Sequence, residues 1–162
     1  LKFSMVLAVL SPISYAEADP AQIKCAADNI YWEARNQPIK GMIAVAWVVR
    51  NRVYDNRFPD SYCDVIYEGP QRVSWKNPDM MYPIRHRCQF SWFCDGKADK
   101  IPTGDKFIYE VAHAIAFKVY YGMLSDFSQN ATHYHADYVR PSWADTKTLV
   151  TVVGNHLFYE WD

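Results

Sequence analysis

No stretch of this 162-residue chain is apolar for long enough to span a bilayer comfortably; the mostly apolar run Phe3 to Ile13 falls well short of the roughly 20 residues required. Charge of one sign is missing too. Lys and Arg number 17 against 18 Asp and Glu, a formal net charge of −1 that argues against a general nucleic-acid binder and leaves no polybasic membrane patch. No Cys-x-x-Cys spacing and no helical His-Glu-x-x-His pattern occurs, which weakens any zinc reading. Repeats, low-complexity segments and internal linkers are absent. Two full domains would be cramped, so a single domain with a real core is expected.

Aromatic residues are plentiful. Six Trp, 12 Tyr and 8 Phe exceed what a small core needs, so some rings are available to line a sugar-binding cleft, although packing is the default use of any one. The first 18 residues read as a secretory signal. Lys2 gives a positive start, an apolar run follows, and Ala16-Glu17-Ala18 is a small-x-small cleavage site ahead of Asp19-Pro20. Pro12 would break the alternative, an ordinary N-terminal helix. Residues 19–162 are then the working domain, delivered outside the cell, to the periplasm or to the cell wall. Export gives the cysteines meaning, because Cys25, Cys63, Cys88 and Cys94 allow three pairings in an oxidising compartment. Cys88 with Cys94 would pin a short loop, and Cys25 with Cys63 would tie the first helix to a later one. That pairing is favoured, although the sequence leaves connectivity open.

The stretch Cys25 to Val53 organises the rest. Helical periodicity predicts a helix over about 21–35, stopped by the restriction that Pro38 places on Gln37, and a second helix that Pro38 opens at its first turn. Met42, Val45, Ala46, Val49 and Val53 form one stripe of the second helix and Ile43, Ala44, Trp47 and Val48 fill much of the other side, so it is central and buried. Arg50, Asn51 and Arg52 read as a solvated polar end that pairs with carboxylates. On the first helix, Ala26, Ile30 and Ala34 mark the core stripe, and Glu33 falls on it. A carboxyl there is desolvated, which raises its pKa and suits it to donate a proton near neutrality. The competing use is an ion pair with Arg35 or another base.

Further along, Pro59-Asp60-Ser61 reads as a turn capping a short helix through Tyr67. Residues 68–104 show no clean period and are punctuated by Pro70, Pro78, Pro83, Gly96 and Pro102, an irregular stretch that a compact domain tolerates when it is functional or stapled. Asp105 then caps a helix over 106–121, with Phe107, Ile108, Val111, Ala112, Ile115 and Val119 facing the core and Gly122 ending it. Glu110 and His113 read as surface positions. Residues 132–138 alternate loosely. Thr148 to Val153, Gly154-Asn155 and His156 to Tyr159 predict a hairpin with a two-residue turn. The fold class is α+β, helices first and a small antiparallel sheet late.

Several of these stretches recur together elsewhere. Tyr31-Trp32-Glu33-Ala34-Arg35, Gly41, Ala44-Val45-Ala46 and Val48 to Val53 are followed in order by Phe58-Pro59-Asp60, Cys88-Gln89-Phe90-Ser91-Trp92, Cys94-Asp95-Gly96, Ala131 to Ala136, and Gly154-Asn155-His156-Leu157-Phe158-Tyr159. The set resembles the SleB-type cell wall hydrolases, which include spore-cortex-lytic enzymes, and covers nearly all of the chain after Cys25. The resemblance implies a lysozyme-like catalytic domain, a peptidoglycan lytic transglycosylase, with Glu33 as the catalytic acid. It also implies that Gln89, Phe90, Ser91, Tyr134 and His135 lie near the cleft. Asn36 stands where that family usually has Gly, and Asn tolerates a left-handed turn.

Cleaving a glycosidic bond needs a proton on the leaving oxygen and some means of quenching the developing positive charge. Glu33 can supply the proton. Ordinary glycosidases add a second carboxylate, for which Asp95, Asp126 and Asp137 are available, each in a polar, turn-like setting. A transglycosylase needs one acid, because, as the resemblance implies, the muramic acid C6 hydroxyl attacks in place of water. Other readings are a muramidase with two carboxylates, a zinc-dependent amidase built from His133, His135 and His156 or Glu33, and a wall-binding module that uses the surplus rings. No cofactor or metal is expected. The expected partner is the peptidoglycan glycan strand, with the chain working as a monomer.

Overall fold

The computed structural model describes residues 19–161, so the expected signal segment, residues 1–18, lies outside the described residues. Helix α1 (Pro20–Ala34) starts where local chemistry dictates. Asp19 accepts a hydrogen bond from the Ala21 N–H at 2.9 Å, and Pro20 occupies the first turn, where it has no N–H to lose. The helix ends one residue before the predicted stop. Helix α2 (Ile39–Val53) begins just past Pro38, which caps it rather than opening it. Asn36, between them, does not adopt left-handed backbone, so the missing glycine costs no strain there.

Helix α2 is the centre of the core, as its two apolar faces predict: Met42, Ala44, Val45, Val48 and Val49 are all buried. Helix α1 packs against α2 and contributes Ala26, Ala27, Ile30 and Ala34 to the same buried core. The short helix α3 (Tyr62–Ile66) is capped by Ser61, whose hydroxyl accepts from the Asp64 N–H. The Cys25–Cys63 disulfide joins α1 to α3, and Cys88–Cys94 closes the short loop, the favoured pairing in both cases.

Helix α4 (Lys106–Tyr120) lies against α1 and α2 through Ala112, Ile115, Ala116 and Val119, and two expectations fail on it. Asp105 does not cap its N-terminus, because its carboxylate accepts a hydrogen bond from the Tyr31 hydroxyl of α1 instead. Phe107 is 76% exposed. It precedes Ala112 by five residues, which turns it about 140° away from the packed stripe.

The polar end of α2 is also not what periodicity suggested. Arg50 donates to the last carbonyls of α4, those of Val119 and Tyr120. Asn51 ties down the 126–131 turn through Asp126, Ser128 and the Ala131 carbonyl. Arg52 is buried, and its Nε donates to the Thr132 carbonyl at 2.6 Å. Asn51 does meet a carboxylate, that of Asp126, but neither Arg50 nor Arg52 forms an ion pair among the described residues.

The late sheet forms as predicted. Strands β3 (His133–Ala136), β4 (Thr148–Val153) and β5 (His156–Glu160) pair antiparallel in the order β3-β5-β4. In the β4–β5 turn, Gly154 has φ +61°, a backbone region that favours glycine, and it seats the turn closely against Gln37 and Pro38 at the α1–α2 corner. The irregular stretch holds a second, unpredicted hairpin, β1 (Gln71–Val73) with β2 (Met81–Pro83), and a 3₁₀ turn over Ser91–Cys94. No helix of the described residues is long and apolar enough to cross a membrane.

Candidate active site

Glu33 sits in the last turn of α1, one residue before its end, and opens into a cleft of about 560 Å³. The floor is built by α1, the end of α2 and β3. One lip is the stapled segment Gln89 to Trp92, and the other is the turn after β3 around Tyr138 and Val139. Burial pushes the Glu33 carboxyl above the ordinary carboxylate range. Its place at the negative end of a helix dipole acts in the same direction. Against this, the Tyr134 hydroxyl donates to Oε2 at 2.9 Å, which favours the ionised form. That bond occupies one carboxyl oxygen and leaves Oε1 to carry an acidic proton.

Tyr134 comes from β3, on the sheet face that carries His156 and Phe158, whose rings lie 5.1 and 5.6 Å from its own. Burial, then the neighbouring carboxylate, raises its hydroxyl well above the usual range, so it stays a proton-bearing donor. The opposite lip is pinned to α1 by two contacts. Trp92 Nε1 donates to Asn29 Oδ1 at 2.9 Å in the interior, and the Trp92 ring stacks on Trp32 with centroids 6.3 Å apart. The backbone of Gln89 is held by the Glu68 carbonyl at 2.9 Å.

Arg52 links the two sides. Its guanidinium lies 5.0 Å from the Phe58 ring and 5.6 Å from the Phe90 ring, and burial lowers its pKa to about 10, leaving it charged at neutrality. With the Gln89 amide turned so that both groups are satisfied, its oxygen accepts from Nη1 and Nη2 of Arg52 at 3.2 Å each. The amide nitrogen of Gln89 is then free to donate into the cleft.

The five residues expected near the cleft all line it, but not in equal standing. Gln89, Phe90 and Ser91 share the cleft lining with Glu33, and Tyr134 bonds its carboxyl directly. His135 has both ring nitrogens engaged, Nδ1 with the Ala136 carbonyl at 2.8 Å and Nε2 with the Tyr159 hydroxyl at 2.9 Å, and its ring stacks on Tyr159. Arg52 reads as solvated charge in the sequence, yet it falls three residues past Val49 and seven past Val45, on the buried stripe of α2, a signal of the same kind as that of Glu33 on α1. Asp99, on the cleft wall, lies in the stretch without periodicity and gives no such signal; burial, Asp95 and Asp28 raise its pKa.

Of the three aspartates considered as a second acid, only Asp95 lines the cleft, and it accepts from the Lys97 N–H at 2.7 Å. Asp126 organises its own turn, accepting from the Ser128 and Asn130 N–H groups. Asp137 is exposed outside the cleft wall. The histidines do not converge. His133 packs among Phe58, Trp143 and Trp161 on the sheet face opposite Tyr134, and no group of three His, Cys, Asp or Glu able to hold a metal ion occurs among the described residues.

A family model described as cell wall hydrolase matches residues 36–159, beginning just past Glu33. The spore cortex-lytic enzyme of Halalkalibacterium halodurans is 28% identical over 148 residues, and that of Bacillus cereus 27% over 147; each alignment covers 91% of this chain. It covers 36% and 46% of those proteins, so the chain spans less than half the length of either curated relative. Among solved structures, the catalytic domain of the germination-specific lytic transglycosylase SleB from Bacillus anthracis aligns with a TM-score of 0.65 at 25% identity, covering 93% of this chain and 100% of that one. With the family match extending over most of its length and the whole of a solved catalytic domain aligned to its fold, the chain belongs to the cell wall hydrolase family.

Proposed function

We propose that this chain is an exported, monomeric lytic transglycosylase that cleaves the β-1,4 bond between N-acetylmuramic acid and N-acetylglucosamine in peptidoglycan. The observation that carries the reading is the buried carboxyl of Glu33, held by Tyr134 and opening into a cleft where, among the described residues, no second acid is buried as deeply. Oε1 of Glu33 gives its proton to the glycosidic oxygen as the bond breaks. The carboxylate then accepts the proton of the muramic acid C6 hydroxyl while that oxygen bonds to the anomeric carbon, so the proton lost in the first step returns and a 1,6-anhydro sugar forms. No water enters. Tyr134, donating to Oε2, steadies the carboxylate between the two steps.

In this reading Gln89 presents its amide N–H to the sugar, oriented by Arg52, while Ser91 and the Phe90 and Trp32 rings border the glycan path. His135 acts by holding the β3 backbone rather than by touching sugar, since both ring nitrogens are already used. A muramidase is the second reading, favoured by Asp95 and Asp99 on the same cleft wall. Mass spectrometry of fragments released from purified peptidoglycan separates the two. Products ending in anhydromuramic acid, absent with Glu33→Gln, support the transglycosylase. Products heavier by one water, with reducing ends, would overturn it and turn attention to the two aspartates.

A further inference from the structure

The β1–β2 hairpin buries almost nothing. Arg72, Val73, Met81 and Tyr82 are exposed, and Trp75, beyond β1, is 88% exposed. Strands of three residues with both faces in solvent gain no core packing, so the hairpin contributes little to holding the domain together. Its connection is nonetheless ordered. The Ser74 hydroxyl accepts from the Lys76 and Asn77 N–H groups at 3.2 Å, Asn77 Oδ1 accepts from Asp79 N–H at 3.1 Å, and Ser74 and Met80 are joined through their backbones at 2.8 Å.

Its charge departs from that of the chain. The hairpin itself carries Arg72 and Lys76 against Asp79, and Arg85 and Arg87 follow it directly, in a protein whose net charge is −1. Arg72, Lys76 and Arg87 make no ion pair among the described residues. A groove of about 350 Å³ runs along the hairpin between Arg72, Val73, Trp75, Lys76 and Tyr82. The chain past the hairpin leads to the cleft lip: Arg85 Nε donates to the carbonyl of the cleft residue Asp95 at 2.8 Å, and the backbone continues through Cys88 into Gln89.

We propose that this hairpin is a second contact for the strand that the cleft cleaves, a proposal that rests on the peptidoglycan reading above. Trp75 and Tyr82 offer ring faces to sugars outside the cleft, and Arg72 and Lys76 meet carboxylates of the peptide branches. A glycan strand is the occupant because the base of the hairpin is bonded to the segment that carries the cleft lip, through Arg85 to the Asp95 carbonyl and His86 N–H to the Cys94 carbonyl, and because exposed Arg72 and Lys76 complement the carboxylates of peptide branches.

The test uses the full chain carrying Glu33→Gln, so that binding is read without cleavage, and insoluble peptidoglycan sacculi as the probe. Adding Arg72→Ser, Trp75→Ala and Lys76→Ser is expected to weaken sacculus binding about tenfold with the thermal midpoint unchanged, and binding of the parent falls as salt rises. A second variant, Arg72→Glu with Lys76→Glu, keeps Trp75 and is expected to bind more weakly than the parent. Equal sacculus binding by parent and both variants overturns the proposal. So does hairpin-dependent sedimentation with phosphatidylglycerol vesicles when sacculus binding is unaffected. An unsubstituted chain that binds sacculi through the hairpin but releases no soluble fragments defeats the lytic reading alone.

Discussion

The two sides of the cleft are built by different physics. Glu33 stands on a helix whose inner face is buried against α2 and α4, so its backbone is held by dozens of dispersive contacts and by the Cys25–Cys63 crosslink beyond them. Gln89 to Trp92 lie on a lip with little regular structure, held by a short crosslinked loop, a few backbone hydrogen bonds and the Trp92–Asn29 bond. The acid is placed by the core, and the lip across the cleft is placed by local fasteners. Damage to each should therefore appear in a different measurement.

The largest effect is chemical. Glu33→Gln is expected to lower fragment release from peptidoglycan about a thousandfold. Its stability should move the other way. The folded-state pKa of Glu33 is raised, so the stabilisation present below its unfolded pKa is lost as pH rises through the folded value. A neutral amide has no such loss, and the variant is expected to melt higher than the parent at neutral pH and to lose that advantage in acid. A parent and variant with parallel melting curves across pH would mean that the core does not desolvate this carboxyl.

The disulfides sharpen the contrast. Sequence separations of 38 and 6 residues give chain-entropy contributions of about 4 and about 2 kcal/mol. Replacing Cys25 and Cys63 by Ser should therefore cost more stability in urea, while the rate per folded molecule stays near that of the parent. Replacing Cys88 and Cys94 should cost less stability but lower the rate about tenfold, because a loosened lip no longer holds Gln89 in register. The reverse pattern would show that the lip is preorganised by Trp92 and Asn29 alone.

Tyr134→Phe tests the junction between the two sides. Its hydroxyl favours the ionised form of Glu33, so its loss is expected to raise the Glu33 pKa further and move the alkaline limb of the pH–rate profile upward, with a several-fold fall in the maximum rate. An unmoved limb would mean that Glu33 does not govern it. The smallest effect concerns His133 on the far sheet face. Burial, then Arg52, Lys147 and Arg57, lowers its pKa from 6.5 to about 3. Its contribution to stability is present above 6.5 and is lost as pH falls through about 3, so His133→Gln should flatten that part of the acid unfolding curve without altering the rate at neutral pH. An unchanged acid limb would place the proton uptake elsewhere.

Much was legible where physics is local. Caps, prolines and the 3.6-residue period located the four α-helices of the described residues, the α2 stripe identified the centre of the core, and Gly154-Asn155 between two strand-like runs marked the late hairpin. The errors fall where a side chain had two local uses and a distant partner chose between them. Asp105 could cap α4, but the Tyr31 hydroxyl claimed it. Arg52 could be solvated, but the Thr132 carbonyl, Gln89 and two aromatic rings enclose it. The β1–β2 hairpin left no signal in the pattern because it buries no alternating face.

Helical period alone puts an acid on the inner stripe of α1, because side-chain direction along a helix needs no partner, and the motifs along the chain carry the α+β order and the family. What that acid feels comes from packing across the chain. Tyr134 lies 101 residues away along the chain, and the hydrogen bond, desolvation and cleft that define the Glu33 carboxyl depend on packing between elements that no local rule brings together.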